Sequence, residues 1–227
     1  MNVVENIRAY MDGTVGKGKG RVPDERYASF DYCYNYFQSF HERGAERELA
    51  EDENLQASCL QVGFYLASWG MLRGGAPLLN KSVRHFRGLI QVIATAESRV
   101  WDIDVCDYER NEDRELIFNC ADKIRCALGK TTTSDTLVTK IMLGVFGNVP
   151  ALDQNVKKGL DLGHLNKATL RHILDFYIQQ RALLESHTEI FTLDFLSGRE
   201  THRRYSMAKL IDMVAFIEGL RVQTGAK

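Results

Sequence analysis

Apolar residues recur at spacings of three and four along most of this chain, and no segment of five or more residues alternates convincingly between apolar and polar positions. That periodicity predicts helices. Over residues 26–42 the stripe is Phe30, Tyr34, Phe37 and Phe40, with Tyr32 and Tyr36 on another side. After an acidic connector at 46–53, a second helix is predicted over 54–71, ending in FYLASWGM and a turn containing Arg73, Gly74, Gly75 and Pro77. A third runs over 81–101 through Phe86, Leu89, Ile90 and Ile93, with Asn80 as its N-cap. Residues 102–115 read as an acidic loop, and Ile117, Cys120, Ala121, Ile124 and Leu128 form a stripe that stops at Gly129.

The later half continues in the same manner. A hydroxyl-rich run at 131–135 offers caps for a helix carrying Lys140, and Pro150 marks another helix start near Asn148 or Val149. Asn166 caps a helix with Leu170, Ile173, Leu174, Tyr177 and Ile178 on one face, and the last helix carries Met207, Leu210, Ile211, Val214 and Ile217. The prediction is an all-α fold of about eight helices, a single helical domain over 26–227 that divides at most into two subdomains (26–129 and 130–227) with a cleft between them. Residues 1–25, with glycines at 13, 16, 18 and 20 and basic residues among them, read as a flexible basic arm. The same run approaches the phosphate-loop pattern, but Gly20 stands where that motif needs a hydroxyl, and no strand precedes it.

Composition refines this picture at a few points. The 227 residues carry a net charge of −1, so the whole molecule has no general attraction for nucleic acid. The charge is unevenly distributed: residues 130–227 hold 13 basic against 10 acidic side chains, and residues 1–129 hold 16 against 20. Five cysteines without a CxxC pair imply neither a disulfide framework nor a zinc ribbon, and together with the absence of a leader pattern or long apolar run they lead us to expect a cytoplasmic protein without a membrane partner. The six histidines show no HxxxH or Cys/His ligand spacing, so neither metal nor cofactor is expected.

One carboxylate stands out. Asp153 follows a Gly147-Asn148 turn and Pro150, and Lys157 and Lys158 come one turn later. An acid there complements the helix dipole, by about 0.3–1 kcal/mol. The run FGNVPALDQNVKKGLDLG also resembles the segment of helix-hairpin-helix DNA glycosylases in which a glycine turn and a proline precede the catalytic aspartate. The upstream hairpin of those families, L-x-G-[IV]-G, is replaced here by residues 129–140, and with it goes the lysine nucleophile of lyase-type members.

The resemblance implies a two-lobed helical fold and a monofunctional DNA N-glycosylase that flips a damaged or modified base out of double-stranded DNA. Asp153 would stabilise an oxocarbenium-like state. Tyr32, Asn35, Tyr36, Trp69, Arg73 and Asn155 would line the base pocket, because a flipped base is stacked and hydrogen-bonded there. Lys81, Arg84, Lys140, Lys157 and Lys158 would contact phosphates. Two alternatives stay open. Arg181 and His187 match an R-x5-H spacing that resembles HEPN-like helical RNases of toxin or defence type. The third is a non-catalytic helical interaction module in which Asp153 only starts a helix.

Overall fold

The computed structural model describes residues 1–16, 18–131 and 133–225. Lys17 of the expected arm and Thr132 of the expected capping run lie outside the described residues. The protein is all-α in class. In chain order the helices are α1 (Val3–Asp12), α2 (Ser29–His41), α3 (Asp52–Ser68), α4 (Arg87–Ala94), α5 (Ser98–Asp102), α6 (Asn111–Leu128), α7 (Asp135–Phe146), α8 (Gln154–Leu160), α9 (Lys167–Glu185) and α10 (Met207–Thr224). A small antiparallel hairpin, β1 (Phe191–Leu193) and β2 (Glu200–Arg204), pairs Phe191 with Arg204 and Leu193 with Glu200 between α9 and α10.

Two helices form the interior. In α7 every residue from Leu137 to Phe146 is buried, and in α10 every residue from Ala208 to Phe216 is buried. A helix apolar on nearly all sides needs neighbours on all sides. Accordingly α7 packs on α2, α3, α5 and α6, while α10 packs on α1, α8 and α9. The α8–α10 crossing is the tightest, because glycine permits backbone contact there. A Cβ on Gly159 would lie 2.1 Å from the Ala215 carbonyl oxygen, and one on Gly219 would lie 2.0 Å from that of Asn155.

Several expectations require correction. The expected arm contains a packed helix: Asn2 caps α1, and Val3, Ile7 and Tyr10, spaced as a helical stripe, are buried in the core. The predicted 81–101 helix is a 3-10 turn at Val83–Phe86 followed by α4 and α5, with a break at residues 95–97, and Asn80 ends a preceding 3-10 turn instead of capping a helix. The supposed acidic loop holds a 3-10 turn capped by Asp104, and α6 already begins at Asn111. No helix starts at Pro150. Residues 148–152 run as loop, and α8 begins at Gln154 with Asp153 as its N-cap. One apolar cluster joins residues from Val3 to Ile217, with α7 set against α2 and α3 of the earlier half.

Candidate functional site

Asp153 is held by three donors. Its Oδ1 accepts the backbone N–H groups of Asn155 (2.9 Å) and Val156 (3.1 Å), which α8 cannot satisfy internally. Its Oδ2 accepts from Lys140 Nζ at 3.0 Å. The Asp153 side chain retains 17% exposure, whereas Lys140 retains only 4%. Lys140 lies on α7, whose burial leaves its side chain little contact with water, and Asp153 is the carboxylate that pairs with it.

The loop presenting Asp153 is pinned along its length. Tyr108 Oη donates to the Asn148 carbonyl (2.5 Å), and Asn148 Nδ2 donates to that of Val100 (3.0 Å). The Ala151 N–H donates to Asp212 Oδ1 (3.0 Å), the Leu152 N–H to Thr139 Oγ1 (2.8 Å), and Thr136 Oγ1 donates to the Leu152 carbonyl (2.8 Å). Such redundancy fixes the carboxylate in one place, the condition a preorganised electrostatic group must meet.

A second ion pair adjoins the first. Lys209 of α10, 1% exposed, donates to Tyr10 Oη (2.9 Å) and Asp212 Oδ2 (3.3 Å). Burial pushes the Lys209 ammonium below its usual range against the pull of Asp212, and burial raises the Asp212 carboxyl against the pull of Lys209. Aromatic rings surround both pairs. Tyr10 stacks on Tyr27 (4.5 Å between centroids), Tyr27 stacks on Trp69 (5.5 Å), and Phe216 meets all three edge-on. Lys140 and Lys209 lie 5.2 and 5.7 Å from the Trp69 ring centroid.

A separate polar staple ties the N-terminal segment and the hairpin to α2. Buried Asp31 accepts from Tyr205 Oη (2.5 Å), the Leu193 N–H (3.0 Å) and Arg21 (3.1 Å), and Arg21 also donates to the Phe191 carbonyl (2.6 Å). Burial raises the Asp31 carboxyl above its usual range even so.

Of the residues predicted for the site, Asp153, Lys140 and Trp69 come together; the rest do not. Tyr32 Oη donates to the Pro23 carbonyl, Tyr36 Oη bonds Ser58, and Asn35 bridges Leu193, Thr192 and Arg203. Tyr32 and Asn35 thus serve the N-terminal segment and the hairpin, and Tyr36 serves α3. Asn155 accepts from Gln223 on α10 (2.6 Å). Arg73 is exposed, with its guanidinium packed over Gly70. Lys140 does not reach a phosphate in this arrangement, since it is buried against Asp153. Lys157 and Lys158 border a shallow groove with Gln154 and Asp161, while Arg84 borders another with Asp52 and Arg87; Lys81 is exposed. Arg181 is paired with Glu185 (2.8 Å), and His187 Nδ1 contacts Ser186 and the Leu183 carbonyl beyond the end of α9.

Lys209, Asp212, Tyr10 and the Asp31 staple went unpredicted. The signal was present in the last helix: within MAKLIDMVAFIEGL, a lysine and an aspartate three apart sit inside an almost unbroken apolar run, so both must be buried and must have partners.

Comparison with known proteins returns no matching family model, no matching curated protein and no matching solved structure. Among the described residues, no group of three or more His, Cys, Asp and Glu side chains converges as metal ligands, and no helix is long and apolar enough to cross a membrane. All five cysteines are free thiols.

Proposed function

We propose that this chain is a glycosylase-like hydrolase that removes a base from nucleic acid, with Asp153 as the charge-stabilising carboxylate. The supporting observation is the setting of Asp153: a partly exposed carboxylate fixed by two helix-terminal amides and a buried lysine, on a loop pinned by five side-chain hydrogen bonds. As the C1′–N bond breaks, its electron pair leaves with the base and positive charge grows on the sugar. A fixed carboxylate nearby lowers that state, since such a group needs no reorganisation during the reaction. Water then adds at C1′, and its proton passes to the departing base, directly or through Asp153. Lys140 acts as a positioning residue through its bond to Oδ2.

The test is a panel of duplexes, each with one modified base, assayed for alkali-labile abasic sites. Wild type should act on at least one, and Asp153→Asn should not; unchanged activity in the variant refutes the role. One observation favours a different reading. Phe64, Phe195 and Leu196 are 72%, 73% and 90% exposed, and Phe64 and Phe195 border a groove of about 340 Å³, as an interaction module would have. No base release across the whole panel would favour that alternative, with the Lys140–Asp153 pair as a structural clamp.

A further inference from the structure

A base-excising site needs a seat for the base, and the grooves at Arg84, Lys157 and Phe64 are not lined by Asp153. The space around the two lysines is instead occupied by Trp69. Its indole is nearly parallel to Tyr27 (11°), perpendicular to Phe216 (90°), and within 5.2–5.7 Å of the charged ends of Lys140, Arg26 and Lys209. Its Nε1 is buried and has no hydrogen-bond acceptor. Tryptophan usually finds an acceptor for that N–H when it is buried. The site therefore offers a ring stack, an edge contact and cationic groups, and its occupant meets the ammonium groups with a ring face only while its own N–H goes unsatisfied.

We infer that Trp69 occupies the seat of a purine base and leaves it when the base enters. The inference rests on the base-excising reading of the same site. A purine has the fused five- and six-membered outline of indole, so it can stack on Tyr27 in the same footprint. Its ring nitrogens, and the exocyclic oxygen of hypoxanthine or guanine, also accept hydrogen bonds, which suits Lys140 and Lys209. The segment after α3 is rich in glycine. Trp69 ends α3, Gly70 follows at φ +77° and Gly74 at φ +58°, and a side chain at Gly74 or Gly75 would meet nothing within 4 Å.

The test opens the seat with Trp69→Ala and titrates that protein and wild type with hypoxanthine, guanine and indole by calorimetry. At least one purine should bind Trp69→Ala about tenfold more tightly than wild type. Adding Lys140→Met should weaken the purine but not indole. Indole binding without any purine binding would overturn the inference and leave Trp69 an ordinary packing residue. Should Trp69→Ala not fold, Trp101→Phe leaves Trp69 as the sole tryptophan, and acrylamide quenching reports its exposure. A duplex carrying hypoxanthine should raise that quenching, and no change overturns the inference. Purine binding to Trp69→Ala alongside unchanged base release by Asp153→Asn would sink the catalytic reading alone. Base release with Trp69 quenching unmoved would sink the displacement alone.

Discussion

Replacing Asp153 by asparagine isolates the buried charge of Lys140 from the capping of α8. Asparagine caps a helix about as well as aspartate, so the bonds to the Asn155 and Val156 amides should survive with little loss. What remains is an ammonium only 4% exposed without its carboxylate. Removing one partner of a buried pair costs about 3–5 kcal/mol. The lysine retains its contact with the Trp69 ring, a cation–π interaction of about 0.5–2 kcal/mol. The lower end of the range applies, and we expect Asp153→Asn to cost about 3 kcal/mol. Lys140→Met is milder, because Asp153 keeps two amide donors and some water, and should cost about 1–2 kcal/mol. The double variant carries neither charge and keeps the cap, so it should lie within about 1–2 kcal/mol of wild type, leaving a coupling of about 2–4 kcal/mol. Urea denaturation of the four proteins at equal m-values measures it. A coupling below about 0.5 kcal/mol would refute the reasoning, since that is the scatter of independent sites.

Gly159→Ala should destabilise by about 1–3 kcal/mol, despite the better helix propensity of alanine, because its Cβ would lie 2.1 Å from a backbone oxygen of α10. A urea midpoint at or above that of wild type would contradict this. Asp113, nearly buried, is bonded by Arg99 (2.9 Å) and Arg110 (2.6 Å), and chiefly the Arg99 hydrogen bonds hold its carboxyl below the usual 3.8. A lowered folded value means stabilisation present above pH 3.8 and lost as pH falls through the folded value. The stability gap between wild type and Asp113→Asn, about 1–2 kcal/mol near neutrality, should therefore shrink in acid; a gap that widens there would contradict the assignment.

What the sequence disclosed follows from how local each feature is. The stripe Phe30, Tyr34, Phe37 and Phe40 is buried as its spacing implied, and Asn166 caps α9 as expected. Those signals lie within one or two turns. The helix α1 was hidden by the glycines that follow it, although Val3, Ile7 and Tyr10 carry the right period. The short hairpin escaped notice because β1 spans only three residues, and its anchors, Asp31 and Arg21, lie far away in sequence. Asp153 was legible as an unusual acid beside a helix start. Its partner was not, since the separation of 13 residues between Lys140 and Asp153 is bridged only by the path of residues 147–152.

The proposed function requires the Asp153 carboxylate to do chemistry beyond holding a helix and a lysine in place. The most direct measurement compares wild type with the Lys140→Met/Asp153→Asn double variant, whose fold the charge argument preserves, on the duplex that wild type processes best. Wild type should produce abasic sites, and the double variant none above background, at equal folded concentration. Equal rates for the two proteins would contradict it.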